Sequence, residues 1–247
     1  MKKFELTAEF VTNVFGKKLF RIKALVAFGN VEKGELGGFI EKEDNLSHDG
    51  DAWVSGDAWV YGDAQVFGNA QVLGNARVSG DAWVSGDARV SGNAWVYGDA
   101  RVLGNARVSG NAQVLGDAWV SGDAWVYGDA RVLGNAQVSG NAQVFGDARV
   151  LGNARVSGNA QVSGNAWVSG NADYAAVAGF GRYSRTTTFF RCKDKILRVQ
   201  CGCFYGDLAQ FREIVKKTHG DSKYAKEYLA IADLMELHFS DECGGEQ

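Results

Sequence analysis

Residues 51–68 read DAWVSG-DAWVYG-DAQVFG, and this six-residue unit decides the fold of the chain. Over residues 51–170 the unit recurs twenty times without interruption, always as Asp or Asn, Ala, a variable residue, Val, a second variable residue and Gly. Such short-period self-similarity is typical of a solenoid. Ala and Val, two residues apart in an extended strand, point to the same side. Gly followed by Asp or Asn supplies a corner, because these residues tolerate a positive φ. Each unit is therefore predicted to form one short strand and one bend, with Ala and Val inside.

Composition and charge exclude several classes of protein. The chain has 247 residues with a net charge of −3, and 20 of its 33 glycines and all seven tryptophans lie in the repeat. Basic and acidic residues number 8 and 8 in 1–50, 7 and 10 in 51–170, and 11 and 11 in 171–247. No part is strongly basic, which argues against nucleic acid as a partner. We expect no membrane span, because no run of 18 apolar residues occurs.

Cysteine usage and the first residues predict a cytoplasmic location. Glu5 and Glu9 stand where a signal peptide needs an apolar stretch. Without an export signal, the cysteines are expected to be reduced thiols. They lie in the last quarter of the chain, at Cys192, Cys201, Cys203 and Cys243.

The repeat resembles the hexapeptide-repeat left-handed β-helix, in which an aliphatic residue recurs every six positions with a small residue four later. Val54 and Ala58 fill these two positions here. The resemblance implies a left-handed parallel β-helix of triangular section, with three units in each coil. Twenty units then make about 6.7 coils, or a prism roughly 32 Å long at a spacing of about 4.8 Å per coil. The repeat departs from the family in one respect, since its Gly stands two residues after Val rather than directly after it.

Residues 18 apart are expected to stack as outward columns. Two sets are predicted cation–π stacks, each contact contributing about 0.5–1 kcal/mol when exposed: Trp59–Arg77–Trp95 and Trp83–Arg101–Trp119. One reading is that these columns only stabilise the coils. One corner column consists of Asp63, Asp81, Asp99 and Asp117, followed by Asn135 and Asn153. Stacked carboxylates repel one another, so calcium is one reading of this corner, and a solvated, partly neutralised corner is the favoured one.

A continuous apolar stripe is predicted beside these columns. It consists of Tyr97, Leu115, Leu133 and Leu151, and Trp95 and Trp167 lie next to it. An exposed apolar stripe favours an interface with a partner or a second copy. We therefore predict a homo-oligomer, with a trimer favoured over a dimer because relatives of the resembled fold often trimerise through a solenoid face.

The flanks are predicted to form separate structures. Residues 1–50 are interpreted as an N-terminal β cap containing a hairpin, since strand-like segments 10–14 and 18–28 enclose Gly16 and Lys17. The β-helix occupies 51–172, 173–185 form a linker, and 186–247 form a small C-terminal α+β domain. In that domain the sequence predicts strands over 186–192 and 196–205. Helices are predicted over 208–218, with Asp207 at its N-terminus, and from Ser222 to about Phe239.

Segments outside the repeat resemble phage- and prophage-associated hexapeptide-repeat proteins. The resemblance rests on residues 19–25, 37–41 and 46–47 before the repeat, and on 186–190, 201–204 and 218–220 after it. It implies a bacterial or viral cytoplasmic setting. It brings no catalytic residue set to this chain.

Enzymatic chemistry is the less favoured interpretation. Hexapeptide acyltransferases use a His as general base, and related carbonic anhydrases need three His on a metal. The histidines, His48, His219 and His238, all lie outside the repeat. A zinc site of Cys192, Cys201, Cys203 and His219 is conceivable, but buried strand thiols are favoured. We expect no metal and no cofactor.

Two functional classes remain open. The favoured one is a non-catalytic binding or scaffold protein that self-associates and binds a host or phage protein, for instance to sequester a host defence factor. The alternative is an acyltransferase-like or carbonic-anhydrase-like enzyme. Candidate partner contacts are a set of arginines in the repeat and the tail: Arg131, Arg149, Arg182, Arg185, Arg191 and Arg198. For the four arginines of the tail, which could contact an acidic partner or nucleic acid, a solvated face balanced by acidic residues is the favoured reading.

Overall fold

Three strands precede the repeat in the computed structural model, which describes residues 1–240. They are β1 (Phe4–Thr12), β2 (Lys18–Ala24) and β3 (Leu36–Ile40), and a short 3-10 helix follows at Glu43–Asn45. β1 and β2 pair antiparallel, which confirms a hairpin with an earlier first strand than predicted. β2 also pairs antiparallel with β3, so all three strands belong to one sheet.

The repeat forms twenty short strands of a parallel β-solenoid of about 7 turns. They are β4 (Trp53–Val54), β5 (Trp59–Val60), β6 (Gln65–Val66), β7 (Gln71–Val72), β8 (Arg77–Gly80), β9 (Trp83–Val84), β10 (Arg89–Val90), β11 (Trp95–Gly98), β12 (Arg101–Val102), β13 (Arg107–Val108), β14 (Gln113–Leu115), β15 (Trp119–Val120), β16 (Trp125–Val126), β17 (Arg131–Leu133), β18 (Gln137–Val138), β19 (Gln143–Val144), β20 (Arg149–Val150), β21 (Arg155–Val156), β22 (Gln161–Val162) and β23 (Trp167–Val168).

The strands of the repeat are distributed over three sheets, within which they pair in parallel. The first sheet continues from β1, β2 and β3 into β5, β8, β11, β14, β17, β20 and β23. The second contains β4, β7, β10, β13, β16, β19 and β22, and the third contains β6, β9, β12, β15, β18 and β21. Within each sheet, residues 18 apart are partners, as in the pairing of Val96 with Val114. The predicted columns are therefore confirmed.

The core is built from the Ala and Val of each unit. Every one of them, from Ala52 to Val168, has at most 1% of its surface exposed, and together they form one continuous cluster. Burial of each Val contributes about 1.5 kcal/mol. Main-chain hydrogen bonds join successive coils, for example from Trp95 N to Ala112 O at 2.9 Å. The solenoid is thus held by a small, regular core and an uninterrupted hydrogen-bond ladder.

Parallel pairing begins before the predicted boundary at residue 51. Phe39 of β3 is the partner of Trp59, and Ile40 is the partner of Val60. The two partners are further apart in sequence here than within the repeat, because the segment between them includes the 3-10 helix. β3 therefore joins the first sheet of the repeat through parallel pairing.

A buried lysine fastens the N-terminus to the first coil. The Lys3 Nζ donates hydrogen bonds to Gly50 O at 3.1 Å and Ala52 O at 2.9 Å, and it lies 4.6 Å from the centre of the Phe28 ring. Burial lowers the pKa of Lys3 to about 8, although Asp51 and Asp49 act in the opposite direction. The amine is thus held in a site that disfavours its charged form.

Lys3 should make stability rise with pH in the alkaline range. Because its pKa is about 8 in the folded chain and ordinarily 10.5, the folded state binds fewer protons between these values, and the free energy of unfolding increases there. The increase is on the order of 3 kcal/mol at most. Urea denaturation at pH 7.5, 9 and 10 measures it. Lys3→Met should flatten the profile and the exposed Lys33→Met should not; identical profiles for wild type and Lys3→Met would contradict the assignment.

The C-terminal part is a four-stranded antiparallel sheet with two helices. Its elements are β24 (Tyr174–Phe180), β25 (Arg185–Arg191), β26 (Leu197–Cys201), β27 (Phe204–Asp207), α1 (Leu208–His219) and α2 (Lys223–His238), preceded by a 3-10 helix at Asn171–Asp173. Both helices and their predicted N-terminal residues are confirmed, since Asp207 accepts from Gln210 N and Ser222 from Ala225 N. Among residues 1–240, neither helix has the length and apolar character needed to cross a lipid bilayer.

Two predictions for the tail are wrong. The predicted linker 173–185 contains β24, which pairs antiparallel with β25 and so gains a full set of main-chain partners. The single strand predicted over 196–205 is two strands, because Gly202, at φ 60°, turns the chain between β26 and β27. Cys243 lies outside the described residues.

The C-terminal sheet is attached directly to the end of the solenoid. Phe190 of β25 is fully buried in the solenoid core. Gln161 N donates to Thr188 Oγ1 at 2.9 Å, and Ser163 Oγ donates to Gln200 Oε1 at 2.9 Å. These contacts fix the tail against the last coil.

Candidate interaction surfaces

The predicted apolar stripe lies on the first sheet of the solenoid; we call Tyr97, Leu115, Leu133 and Leu151 the apolar strip. Tyr97 is the partner of Leu115, and Leu115 is the partner of Leu133. Leu151 continues the strip, since its N–H donates to Val168 O at 2.8 Å in the next coil. Tyr97 is 56% exposed, and the three leucines are half-buried. The structure therefore places the strip as the sequence predicts.

Arginines lie between the tryptophans of neighbouring coils. The Arg77 guanidinium carbon is 4.6 Å from the Trp59 ring and 5.4 Å from that of Trp95. Arg101 lies 5.2 Å from Trp83 and 5.0 Å from Trp119. Both predicted stacks are confirmed. Three of these tryptophans, Trp83, Trp95 and Trp119, remain exposed to solvent beside the arginines.

The structure adds two stacks that the sequence reading missed. Arg107 lies 4.9 Å from the Trp125 ring, and Arg149 lies 5.0 Å from the Trp167 ring. Arg149, a predicted partner contact, is thus engaged beside the apolar strip. Arg131 is half-buried in the same column, between Gln113 and Arg149. The 18-residue spacing would have revealed both stacks.

A second aromatic group lies on another sheet. Tyr127 and Phe145 stack with ring centres 5.0 Å apart and an interplanar angle of 3°, and Trp125 meets Tyr127 edge-on at 6.4 Å. Burial raises the pKa of the Tyr127 hydroxyl. Tyr127 and Phe145 occupy equivalent positions in successive coils, so the 18-residue spacing also predicts that they stack.

Side-chain hydrogen bonds run along the corners. Asn amides donate to the residue one coil further on, as from Asn69 to Asp87 at 3.0 Å and from Asn105 to Asp123 at 2.8 Å. In the Asp63 column, Lys42 Nζ lies 2.6 Å from Asp63 Oδ1, and this hydrogen bond lowers the pKa of the Asp63 carboxyl. No three or more His, Cys, Asp or Glu side chains within residues 1–240 are arranged to hold a metal ion.

The four predicted contact arginines of the tail fall into two pairs. Arg191 donates to Phe239 O at 2.9 Å and lies 3.7 Å from Asp173, while Arg198 pairs with Asp194 at 2.9 Å. Arg191 and Arg198 therefore make contacts within the C-terminal part of the chain. Arg182 and Arg185 instead lie 5.5 and 5.0 Å from the Tyr183 ring and line a cavity.

The cysteines occupy different environments. Cys192 is buried at the end of the solenoid, where its backbone forms an isolated antiparallel β-bridge with Ala166. Burial raises the pKa of its thiol to about 11. Cys201 and Cys203 line the tail cavity together with His219. The prediction of buried strand thiols is wrong for Cys203, which is exposed in the turn after β26. The conceivable zinc site is thus divided between two places.

Comparisons with known proteins concern the repeat. A family model described as YdcK Beta solenoid repeat matches residues 70–86, 82–98, 88–104, 95–110, 100–116, 106–122, 124–140, 142–158 and 160–172. A comparison with curated proteins gives no significant match. The matched residues begin in the second turn of the solenoid and end before β24. Together with the three sheets of the repeat, whose strands pair in parallel in an 18-residue register, they show that the chain is a repeat β-solenoid protein.

Proposed function

We propose that the chain is a non-catalytic binding or scaffold protein of the phage or prophage type. In this proposal it is a left-handed hexapeptide-repeat β-helix with an N-terminal β cap, and it acts in the bacterial cytoplasm. It self-associates through the apolar strip, and the assembly binds a host or phage protein. Blocking or sequestering a host factor, such as a defence component, is the specific form of the proposal.

The observation that carries self-association is the register of the apolar strip. Each of its side chains projects from a coil whose backbone is hydrogen-bonded to the next coil and whose Ala and Val are buried. Little backbone entropy is therefore lost when the strip meets a partner. Tyr97 and the half-buried leucines gain further burial only if another surface covers them. Pre-ordered apolar side chains in a row are suited to a flat, rigid contact.

A second copy of the chain is the occupant we propose for the strip. A specific interface needs about 800 Å² from each partner, and one face of a solenoid roughly 32 Å long supplies that area. Identical surfaces pair in closed symmetric oligomers. Arg131 and the Arg149–Trp167 stack flank the leucines and provide a polar border. A trimer is the favoured assembly and a dimer the other form.

Introducing negative charge into the strip tests self-association. Leu115→Glu with Leu133→Glu would place unpaired carboxylates in the contact, at a cost of several kcal/mol. Light scattering after size-exclusion chromatography should show an oligomer for the wild type and a monomer for the double variant. Circular dichroism should show an unchanged β-type spectrum, because both side chains point away from the core.

The chain supplies a matched control. Leu73 and Leu103 occupy the equivalent outward position on the second and third sheets, are also half-buried, and have no leucine neighbour in their columns. Leu73→Glu with Leu103→Glu should leave the oligomer intact. A monomeric wild type at micromolar concentration, or a strip variant that remains oligomeric, would exclude self-association through the strip.

A further inference from the structure

We propose that the cavity in the C-terminal part binds a small apolar group that ends in a carboxylate. The cavity has a volume of about 220 Å³ and lies between the β26–β27 turn, the end of α1 and the side of α2. This site is separate from the apolar strip, so the inference goes beyond self-association.

The walls of the cavity are apolar and packed in place. Phe204 lies 5.6 Å from Phe211, and Phe211 meets the Tyr228 ring edge-on at 5.8 Å. Val215 and Ile214 complete the apolar lining. Phe211 and Val215 are nearly fully buried. These walls favour an aliphatic chain or an aromatic ring, whose burial contributes in proportion to its apolar area.

The charged side chains that line the cavity are those of two arginines. Arg182, Arg185 and His219 line it, and no Asp or Glu is among its described lining residues. Within residues 1–240, neither guanidinium forms an ion pair with a carboxylate, in contrast to the paired Arg198. A guanidinium group binds a carboxylate through two parallel hydrogen bonds. The cavity thus offers cations for an anionic group at the end of an apolar one.

The glycine in the β26–β27 turn leaves room for Arg185 beside the cavity. Gly202 has φ +60°, and a Cβ built there would come within 2.5 Å of Arg185 Nη1. The arginine therefore crosses directly over the turn, in space that a side chain at residue 202 would occupy. Ser184, next to Arg185, has φ 49°, a left-handed conformation that non-glycine residues adopt at some cost. The turns next to the arginines thus have constrained backbone conformations at Gly202 and Ser184.

Tyr228 adds no negative charge to the lining at neutral pH. Burial raises the pKa of Tyr228 to about 12, so its hydroxyl stays neutral. Cys201 is half-buried and accepts a hydrogen bond from Thr187 Oγ1 at 3.2 Å. His219 lies over the Tyr228 ring with centres 5.8 Å apart. Among the residues that the structure describes, no carboxylate lines the cavity itself, and the nearby Glu227 carboxylate accepts a hydrogen bond from Gly181 N at 3.0 Å outside the lining.

The volume limits the size of the ligand. About 220 Å³ corresponds to roughly seven molecules of the size of water. Hexanoate and benzoate, with eight and nine non-hydrogen atoms, are therefore suitable probes. The same chemistry is present in a free small acid and in the last residue of a peptide with an apolar side chain and a free carboxyl terminus.

Calorimetric titration of the full chain tests the proposal. Hexanoate should bind at least about tenfold more tightly than hexanol or hexylamine, because only hexanoate satisfies the guanidinium groups. Arg182→Gln with Arg185→Gln should weaken hexanoate binding at least about tenfold. Arg89→Gln with Arg155→Gln removes the same charge from the solenoid and should change nothing. Ile214→Trp should weaken binding of hexanoate and benzoate alike, because it fills the cavity.

Two further measurements identify the source of the carboxylate and check that each variant is folded. A short peptide ending in Leu, compared with hexanoate, shows whether a peptide terminus is preferred over the free acid. Its amidated form shows whether the terminal carboxylate is required. Thermal unfolding and oligomeric state must match the wild type for each variant. Equal binding of hexanoate and hexanol, unchanged binding by the double arginine variant, or no saturable binding of any carboxylate would overturn the proposal. None of these outcomes bears on the strip.

Discussion

Val114→Asp is expected to lower the free energy of unfolding by about 4 kcal/mol or more. Val114 is fully buried in the middle of the solenoid. The substitution loses about 1.5 kcal/mol or more of apolar burial and places a carboxyl group where it has no hydrogen-bond partner. Each coil also supports only its two neighbours, so damage in the middle divides the solenoid. Urea denaturation followed by circular dichroism measures the loss.

Gln113→Asp is the matched control for this substitution. Gln113 precedes Val114 in the same strand, but its side chain points outward between Trp95 and Arg131. The same new carboxylate should cost less than about 1 kcal/mol there, as is usual for surface substitutions. Equal losses for the two variants would contradict the inside–outside alternation that the fold rests on.

Gly86→Ala is expected to cost about 3 kcal/mol or more, although it adds a single methyl group. Gly86 has φ +72°, and a Cβ there would lie 2.9 Å from both N and O of Gly104. A left-handed conformation costs an L-residue about 1–2 kcal/mol. The contact with Gly104 backbone adds more, because the next coil must move to relieve it. The loss should be seen as a lower urea midpoint.

Gly158→Ala separates the two contributions. Gly158 has φ +67°, nearly the same conformation, but a Cβ there meets no atom within 4 Å. It should lose only the conformational cost of about 1–2 kcal/mol. If both variants lower the free energy of unfolding equally, the close approach of the coils at the corners contributes nothing measurable to the cost of Gly86→Ala.

The solenoid follows from the sequence because its determinants are local and periodic. Once Ala and Val are assigned to the inside, the 18-residue register places Arg77 between Trp59 and Trp95 without further information. The apolar strip follows in the same way. Here the sequence predicts not only strands but also which side chains meet.

The tail is predicted less well because its structure depends on distant contacts. Residues 174–180 are rich in Ala and Gly and have little strand character of their own, yet pairing with β25 makes them a strand. Arg182, Cys203 and His219 come together only because α1 and α2 fold over the β26–β27 turn. No spacing rule in one sequence gives that arrangement. Lys3 is a similar case, since nothing near it in the chain indicates burial.

Deleting one six-residue unit from such a chain would leave every remaining Ala and Val facing inward, since their period is unchanged. Every outward side chain after the deletion, however, would move to the next sheet. Loss of residues 117–122, for example, would separate Leu133 from Leu115, which are partners in the intact chain. Only the gain or loss of three units together keeps the columns aligned. Evolution of such genes under selection for a folded core can therefore proceed one unit at a time, whereas selection for a particular surface restricts length changes to whole coils.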